Sequence, residues 1–146
     1  MNDVRNNTLS WVLKFYRVFN LIWFSLGTLA ILGLMTLIVW EFNFTNQDAI
    51  DNSALIVELL PTTIFSFIIW RMVSVKSKTT PSRIKATMRI DLFFSLVVGF
   101  VMYMAFKKGF ITDKPVPFYG SLIYYFIWSS YFNLSKRVLS YYGFNS

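Results

Sequence analysis

The chain has 146 residues, of which 55% are hydrophobic, 20% aromatic and only 14% charged, and its formal net charge is +7. A domain this small has too high a surface-to-volume ratio to bury so much apolar surface, which argues against an ordinary soluble fold and indicates a lipid environment. The sequence contains no Cys and no His. It therefore lacks disulfides, thiolate chemistry, and the commonest general base and metal ligand.

Four hydrophobic segments are candidates for membrane-spanning helices. Segments 18–40 and 115–135 carry no charged residue and have the length of about 20 residues that a transmembrane helix needs. Segments 59–70 and 92–106 are shorter, and each alone could be a buried or re-entrant helix. We interpret both as spans, because a chain that crosses the membrane in its middle must also return. The sequence thus predicts one all-α domain over 1–146, an integral membrane four-helix bundle with helices at about 18–41, 54–75, 89–107 and 116–136.

The residues before the first span, 8–17, allow two interpretations. Thr8 could cap a short helix in which Trp11, Phe15 and Phe19 share one face, as in helices that lie in the membrane interface. Alternatively, the first membrane helix simply begins early.

The connection between the second and third spans is strongly basic. Six of the 14 Lys and Arg residues flank or occupy it, namely Arg71, Lys76, Lys78, Arg83, Lys85 and Arg89. In a four-span topology, eleven Lys and Arg residues fall on the side of this loop and the chain ends, and three fall on the other side. Cytoplasmic loops carry an excess of Lys and Arg, so we expect the N- and C-termini to be cytoplasmic.

The basic loop also has functional interpretations. Lys76, Lys78, Arg83, Lys85 and Arg89 could contact anionic lipid headgroups, at about 1 kcal/mol for each basic residue. Nucleic-acid binding is less well supported, because hydrophobic spans flank these residues and no nucleic-acid-binding fold accompanies them. We therefore expect the lipid bilayer and its headgroups, and not nucleic acid, as partners.

Two acidic residues, Glu58 and Asp91, fall inside predicted spans, where ionisable groups are costly and often functional. Each lies near the predicted N-terminus of its helix, where interaction with the helix dipole could explain an acid. The functional alternative for Asp91 is a salt bridge that ties three helices together, with Arg71, Lys136 or Arg137 as the partner.

A second candidate is a polar site inside the membrane that contains Glu58, Pro61 and Thr62. A proline is tolerated in the first turns of a helix, and Thr62 and Thr63 could bond the backbone groups that it frees. Such a site could form a gate or bind a cation, although a single acid without a second carboxylate gives it little support.

Small residues recur in the first span at Gly27, Ala30 and Gly33. Small residues let membrane helices approach closely. The spacing favours packing inside the bundle over dimerisation.

The second half of the chain carries a family resemblance. The basic loop leads through Pro81 and Arg83 into an apolar helix from Ile90, and the last span ends in IWSSYFNLSKRVLSYY (127–142). This pattern resembles a bacterial membrane family catalogued as domain of unknown function 2569. The resemblance implies four spans and a bacterial membrane, and it transfers no catalytic residue to this chain.

Motifs of the common enzyme classes are missing from the sequence, which has no Walker loop, dinucleotide fingerprint, zincin motif or GxSxG elbow. We therefore expect a multi-pass protein of the bacterial inner membrane that is not an enzyme and has no catalytic, cofactor or metal site. It would act through helix–helix contacts, as an accessory or regulatory subunit of a membrane-protein partner or as a homo-oligomer. The alternatives are a small transporter or channel subunit, and an immunity protein against a membrane-active toxin.

The predicted orientation can be tested with an enzyme reporter that is active only in the periplasm. A reporter inserted at Asp48 should be active, and one inserted at Lys78 should be silent, because the Lys and Arg excess retains the second position in the cytoplasm. The reverse pattern would contradict the orientation, and activity at both positions would contradict the number of spans.

Overall fold

The computed structural model describes residues 11–41, 47–116 and 119–143, apart from the side chains of Glu41 and Arg137. Within these residues the fold is all-helical and contains no strand. Its five helices are α1 (Trp11–Glu41), α2 (Gln47–Val73), α3 (Thr80–Lys107), α4 (Tyr119–Leu134) and α5 (Lys136–Tyr141).

Three helices, α1, α2 and α3, are long and apolar enough to cross a membrane. Their surfaces carry large exposed apolar side chains, among them Leu26, Leu29, Leu60, Ile64, Phe93 and Phe100. Water would disfavour so large an apolar surface, whereas hydrocarbon would not. The prediction of an all-α, membrane-embedded protein is therefore confirmed. Helix α4 has only 16 residues, a length of about 24 Å against roughly 30 Å for the hydrocarbon core.

Helices α1, α2 and α3 begin earlier than the sequence predicted. Helix α1 is continuous from Trp11, so in the described part of 8–17 there is no separate interfacial helix, and Thr8 lies outside the described residues. Leu13 and Tyr16 are fully buried, so packing rather than lipid fixes these first turns. Helix α2 starts at Gln47 and α3 at Thr80, because polar residues in their first turns face neighbouring protein segments.

The last predicted span is divided into α4 and α5. Between them, Ser135 has an extended backbone, and its side-chain oxygen accepts a hydrogen bond from the backbone N–H of Val138 at 3.4 Å. This is the geometry of a helix N-cap. The break lets α5 turn onto the end of the bundle, where Val138 and Tyr142 are buried.

The packed core lies at one end of the bundle. It combines the first turns of α1, the last turns of α2, the first turns of α3, the end of α4 and the region of α5, through Leu13, Tyr16, Ile69, Val73, Ile84, Met88, Phe132, Val138 and Tyr142. The ring of Tyr16 lies at its centre, with centroid distances of 4.0 Å to Trp128 and 5.6 Å to Phe132. The Tyr142 hydroxyl donates to the Val73 carbonyl at 3.0 Å. Burial raises the pKa of Tyr142, which keeps this phenol protonated as a donor. All five helices therefore meet at this end.

Helices α1 and α2 approach each other closely at Gly27. A Cβ atom at Gly27 would overlap Thr63 Oγ1 and lie 3.2 Å from Thr63 Cβ, whereas a Cβ atom at Gly33 would meet nothing within 4 Å. Ala30 is exposed. Of the three small residues in this stripe, only Gly27 is required by a helix–helix contact.

Replacing Gly27 by alanine should destabilise the fold, with Gly33→Ala as the matched control in the same helix. Thr63 Cβ cannot rotate away from the new methyl group, so α1 and α2 must separate, at a cost of about 1–3 kcal/mol. Gly33→Ala should be neutral or stabilising, because alanine is the better helix former. Thermal unfolding in mild detergent measures both effects. Equal midpoints for the two variants would show that the Gly27 contact is not tight.

Candidate functional site

A cavity of about 340 Å³ lies between helices α1, α2, α3 and α4, beyond the packed core. Its wall is formed by Phe19 and Trp23 of α1, Glu58, Leu59, Thr62 and Ser66 of α2, Asp91, Ser95, Val98 and Gly99 of α3, Val116 of the connecting segment, and Gly120, Ser121 and Tyr124 of α4. A volume of this size lies in the range of small-molecule binding pockets, which are mostly apolar with a few convergent polar groups.

Helix α2 presents its polar residues to the cavity at a regular spacing. Glu58, Thr62 and Ser66 follow one another every four residues, so they form a line along one face of the helix. The side chain of Glu58 is half-buried. Thus α2 brings a carboxylate and two hydroxyl groups to one wall.

Helix α3 supplies the second carboxylate with the same spacing. Asp91, Ser95 and Gly99 line the opposing wall. Asp91 is only 8% exposed, yet its Oδ1 atom has no hydrogen-bond partner, and neither has the buried Oγ atom of Ser95. Buried polar atoms are nearly always bonded, so two adjacent exceptions require an explanation.

The two carboxylates lie at neighbouring levels of the α2–α3 hairpin. Thr62 lies eleven residues before the end of α2 at Val73, and Asp91 lies eleven residues after the start of α3 at Thr80. The two residues are therefore at the same level of the hairpin. Glu58 is one turn further along α2, a displacement of roughly 6 Å at 1.5 Å per residue. Both acids therefore face one cavity, which supplies the second carboxylate that the sequence interpretation lacked.

The explanation of these acids by the helix dipole is wrong. Glu58 lies eleven residues after the start of α2 at Gln47, and Asp91 lies eleven residues after the start of α3 at Thr80. The helix-dipole effect is confined to the first turn. Both carboxylates are in helix interiors, where the dipole does not offset the cost of an acid.

The predicted ion pair of Asp91 is also not formed with Arg71 or Lys136. Asp91 is buried and faces the cavity, whereas Arg71 and Lys136 are exposed, and the Arg71 guanidinium lies 6.0 Å from the Trp70 ring centroid. Ile69 is buried in the core. Arg71 follows it by two residues, which places it on the opposite face of α2, so its side chain points outward. The third candidate, Arg137, lies outside the side chains that the structure describes.

The polar site predicted from Glu58, Pro61 and Thr62 is only partly formed. Thr62 lines the cavity with Glu58, but Pro61 does not. Pro61 lies in the interior of α2 rather than in its first turns. The Thr62 and Thr63 hydroxyls donate to the carbonyl of Leu59, at 3.1 and 2.8 Å, and not to the carbonyl four residues before the proline that loses its helical donor.

A tyrosine–asparagine network closes the cavity toward the core. The Tyr124 hydroxyl contacts the Tyr16 hydroxyl at 2.8 Å and the Asn20 side-chain oxygen at 3.0 Å. The amide nitrogen of Asn20 donates to the Tyr16 carbonyl, and the Tyr16 hydroxyl lies 3.4 Å from Met88 Sδ. These bonded groups keep the inner wall rigid and connect α1 to α4.

A clamp at the opposite end holds the connecting segment 108–116 against α2. Asp51 accepts hydrogen bonds from the Thr112 backbone N–H at 2.9 Å, from the Thr112 hydroxyl and from Gln47 Nε2. Glu58 accepts one from the Val116 N–H at 3.3 Å. A second cavity of about 240 Å³ lies between α2 and this segment, and Glu58 lines both cavities.

The basic residues near the α2–α3 turn contact the C-terminal helices. Lys85 Nζ donates to Asn133 Oδ1 at 2.7 Å, and Arg89 Nε donates to the Tyr125 hydroxyl at 3.2 Å. Lys76 Nζ lies 5.6 Å from the Tyr141 ring centroid, within the range of a cation–π contact. These contacts stabilise α4 against α3, and α5 against the 74–79 turn, a role that the sequence did not predict. Lys78 and Arg83 are exposed, and headgroup binding by the basic set stays a prediction.

The lining of the central cavity favours the binding of a positively charged group. Among the described residues there is no group of three or more His, Cys, Asp and Glu side chains that could hold a metal ion. The cavity lining contains two carboxylates and no Lys or Arg. Such a lining attracts positive charge.

The sequence predicted Glu58, Thr62 and Asp91 as candidate site residues but not Ser66 and Ser95. It also did not predict that Glu58 and Asp91 line the same cavity. A signal was present, since Glu58, Thr62 and Ser66 on α2, and Asp91 and Ser95 on α3, repeat every four residues.

Comparisons of the chain with protein-family models, with curated proteins and with solved structures found no match. The resemblance of the second half of the chain to the bacterial membrane family therefore stays a prediction.

Asp51 and Asp91 form a matched pair for a test of stability, because both are buried but only Asp51 has donors on both carboxylate oxygens. Asp51→Asn should lower the free energy of unfolding by about 1–3 kcal/mol, since donors lose their acceptor. Asp91→Asn should leave it unchanged or raise it, since a buried, unpaired carboxyl group is replaced by a neutral one. Thermal unfolding followed by tryptophan fluorescence measures both. An equal loss in the two variants would mean that an ion pair holds Asp91.

Proposed function

We propose that this protein is a small transporter or channel subunit that binds a cation beside Asp91, inside the membrane. The observation that carries the proposal is the unpartnered carboxylate of Asp91 on the wall of a 340 Å³ cavity between four helices. Ionisable residues at membrane depth cost roughly 2.5–3.5 kcal/mol on insertion scales, and they mark ion and substrate pathways.

The lining favours a positively charged ligand. Glu58 and Asp91 contribute negative charge, and the lining includes neither Lys nor Arg. The hydroxyl groups of Thr62, Ser66 and Ser95 stand on the same walls and can complete the coordination of a cation. Low-dielectric walls strengthen the attraction of the carboxylates for such a ligand.

The second cavity supports a route from the outside of the bundle. It is lined by Asp51, Asp113 and Lys114 as well as by Glu58, and Glu58 also belongs to the central cavity. Acidic groups thus stand at successive levels from the connecting segment to Asp91. A transport pathway needs such a series of moderately attractive sites, from which a cation can leave again.

A role in binding rather than catalysis is supported by the hydroxyl groups of the cavity. A serine nucleophile needs an adjacent base that is hydrogen-bonded to it. The Ser95 hydroxyl has no hydrogen-bond partner, although Asp91 is one turn away.

The proposed topology has four spans, with both termini in the cytoplasm of a bacterium and the spans in its inner membrane. The excess of Lys and Arg near the α2–α3 turn supports this orientation. Leu13 and Tyr142 share one core cluster, so the first and last described helices meet at the same end of the bundle. Although α4 is short, a bilayer can thin locally around such a helix at modest cost.

The roles of accessory or regulatory subunit, homo-oligomer and immunity protein stay predictions. The cavity supports the transport interpretation over them, because helix–helix contact or toxin binding does not require an unpaired acid inside the bundle.

Solid-supported-membrane electrophysiology on proteoliposomes would test the proposal with sodium, potassium and a set of small organic ammonium ions. The wild-type protein should give cation-dependent currents, and Asp91→Asn should reduce them to the level of empty liposomes, because the neutral amide loses its attraction for a cation. Glu58→Gln should reduce them in part.

The control is Asp48→Asn, which removes an exposed acid that lines neither cavity and should leave the currents unchanged. Currents no larger than those of empty liposomes for every cation tested would contradict the proposed function.

A further inference from the structure

Two neighbouring residues on the wall of the central cavity each have a buried oxygen atom without a hydrogen-bond partner among the described residues. Asp91 Oδ1 and Ser95 Oγ are buried without a partner, one helical turn apart, and both residues line the cavity. Asp91 is more than nine-tenths buried. A ligand with positive charge and hydrogen-bond donors suits the Asp91 carboxylate, because the described lining contains no Lys or Arg to balance it.

The size of the cavity argues for more than a bare ion. At about 340 Å³, it could hold roughly ten water molecules at about 30 Å³ each. An inorganic cation would fill only a small part of this space. Among the described residues no group of three or more acidic, His or Cys side chains is available to replace the hydration shell of a metal ion.

The remaining walls are apolar and aromatic. Phe19 and Trp23 of α1, Leu59 of α2 and Val98 of α3 line the cavity together with the two acids. Apolar walls of this kind bind hydrocarbon, and an aromatic ring also attracts a cation placed over its face. A ligand that fits the whole cavity therefore has a charged end and a compact apolar end.

We infer that the cavity binds a small primary amine in its ammonium form, with its charged end beside the carboxylate of Asp91 and an apolar body against Phe19, Trp23 and Leu59. This inference rests on the proposed function and names the chemical class of the transported cation. The half-buried Glu58 stands about one turn away and attracts the same charge from the side of the connecting segment.

The test is a calorimetric titration of the full chain in lipid nanodiscs with 2-phenylethylammonium, with empty nanodiscs subtracted because the amine also partitions into lipid. Two comparison ligands separate the contributions. The alcohol 2-phenylethanol has the same apolar body without charge, and sodium has charge without an apolar body. The wild-type chain should bind the amine saturably and bind both comparison ligands at least about tenfold more weakly.

Two variants and a control identify the site. Asp91→Asn should weaken amine binding at least about tenfold, through the loss of a charge-assisted hydrogen bond. Gly120→Leu should weaken it by filling the cavity, because a Cβ atom at Gly120 meets nothing within 4 Å and the fold tolerates it. Asp48→Asn, which removes an acid that lines neither cavity, should change the dissociation constant by less than about twofold.

Three results would overturn the inference: no saturable binding of the amine, equal binding of the amine and the alcohol, or binding that neither Asp91→Asn nor Gly120→Leu weakens. The proposed function fails separately. Amine binding without currents in proteoliposomes would contradict transport and leave the ligand class standing. Sodium or potassium currents without amine binding would support transport and overturn the ligand class.

Discussion

The packing around Tyr16 at one end of the bundle is the contact on which the rest of the structure depends. Its buried ring lies against Trp128 and Phe132 of α4, and its hydroxyl contacts that of Tyr124. In lipid, helices gain little from hydrophobic exclusion, so close packing and hydrogen bonds between helices must hold them together. The Tyr16 cluster supplies both. The central cavity lies beyond this packed end, between helices α1, α2, α3 and α4.

Two buried aspartates show how the protein uses the same side chain in opposite ways. Asp51 accepts hydrogen bonds from the neighbouring segment and stabilises the connection between α3 and α4. Asp91 has comparable burial and no partner at Oδ1. An isolated acid in a helix interior lowers stability, and natural proteins accept such losses mainly where a site needs them. This contrast is the reason why we propose Asp91, and not Asp51, as a functional residue.

Hydropathy was sufficient to predict the helical membrane fold, because lipid imposes a long apolar run on each spanning helix. It was less informative about helix ends. The first turns of α2 and α3 are polar, and they extend the helices to Gln47 and Thr80 because neighbouring protein segments receive those side chains. Because α3 starts early, Asp91 lies in a helix interior and not at the predicted helix end. The helix dipole therefore does not explain this acid.

The site itself was only partly visible in the sequence. The four-residue spacing of Glu58, Thr62 and Ser66 indicates one face of α2, but spacing does not say which face of α3 lies opposite. The bond between Asp51 and Thr112 joins residues 61 positions apart, and nothing in the local pattern of either segment specifies it. Such contacts depend on how the helices are packed, which a single sequence leaves open.

The clamp on the segment 108–116 works largely through the main chain. Asp51 and Glu58 accept hydrogen bonds from the backbone N–H groups of Thr112 and Val116. Every residue except proline offers such a group. The side chains of Asp113 and Lys114, between these two anchors, are exposed. The segment can therefore keep its position over α2 while its exposed side chains diverge during evolution. The surface at this end of the protein can then change while the fold stays the same.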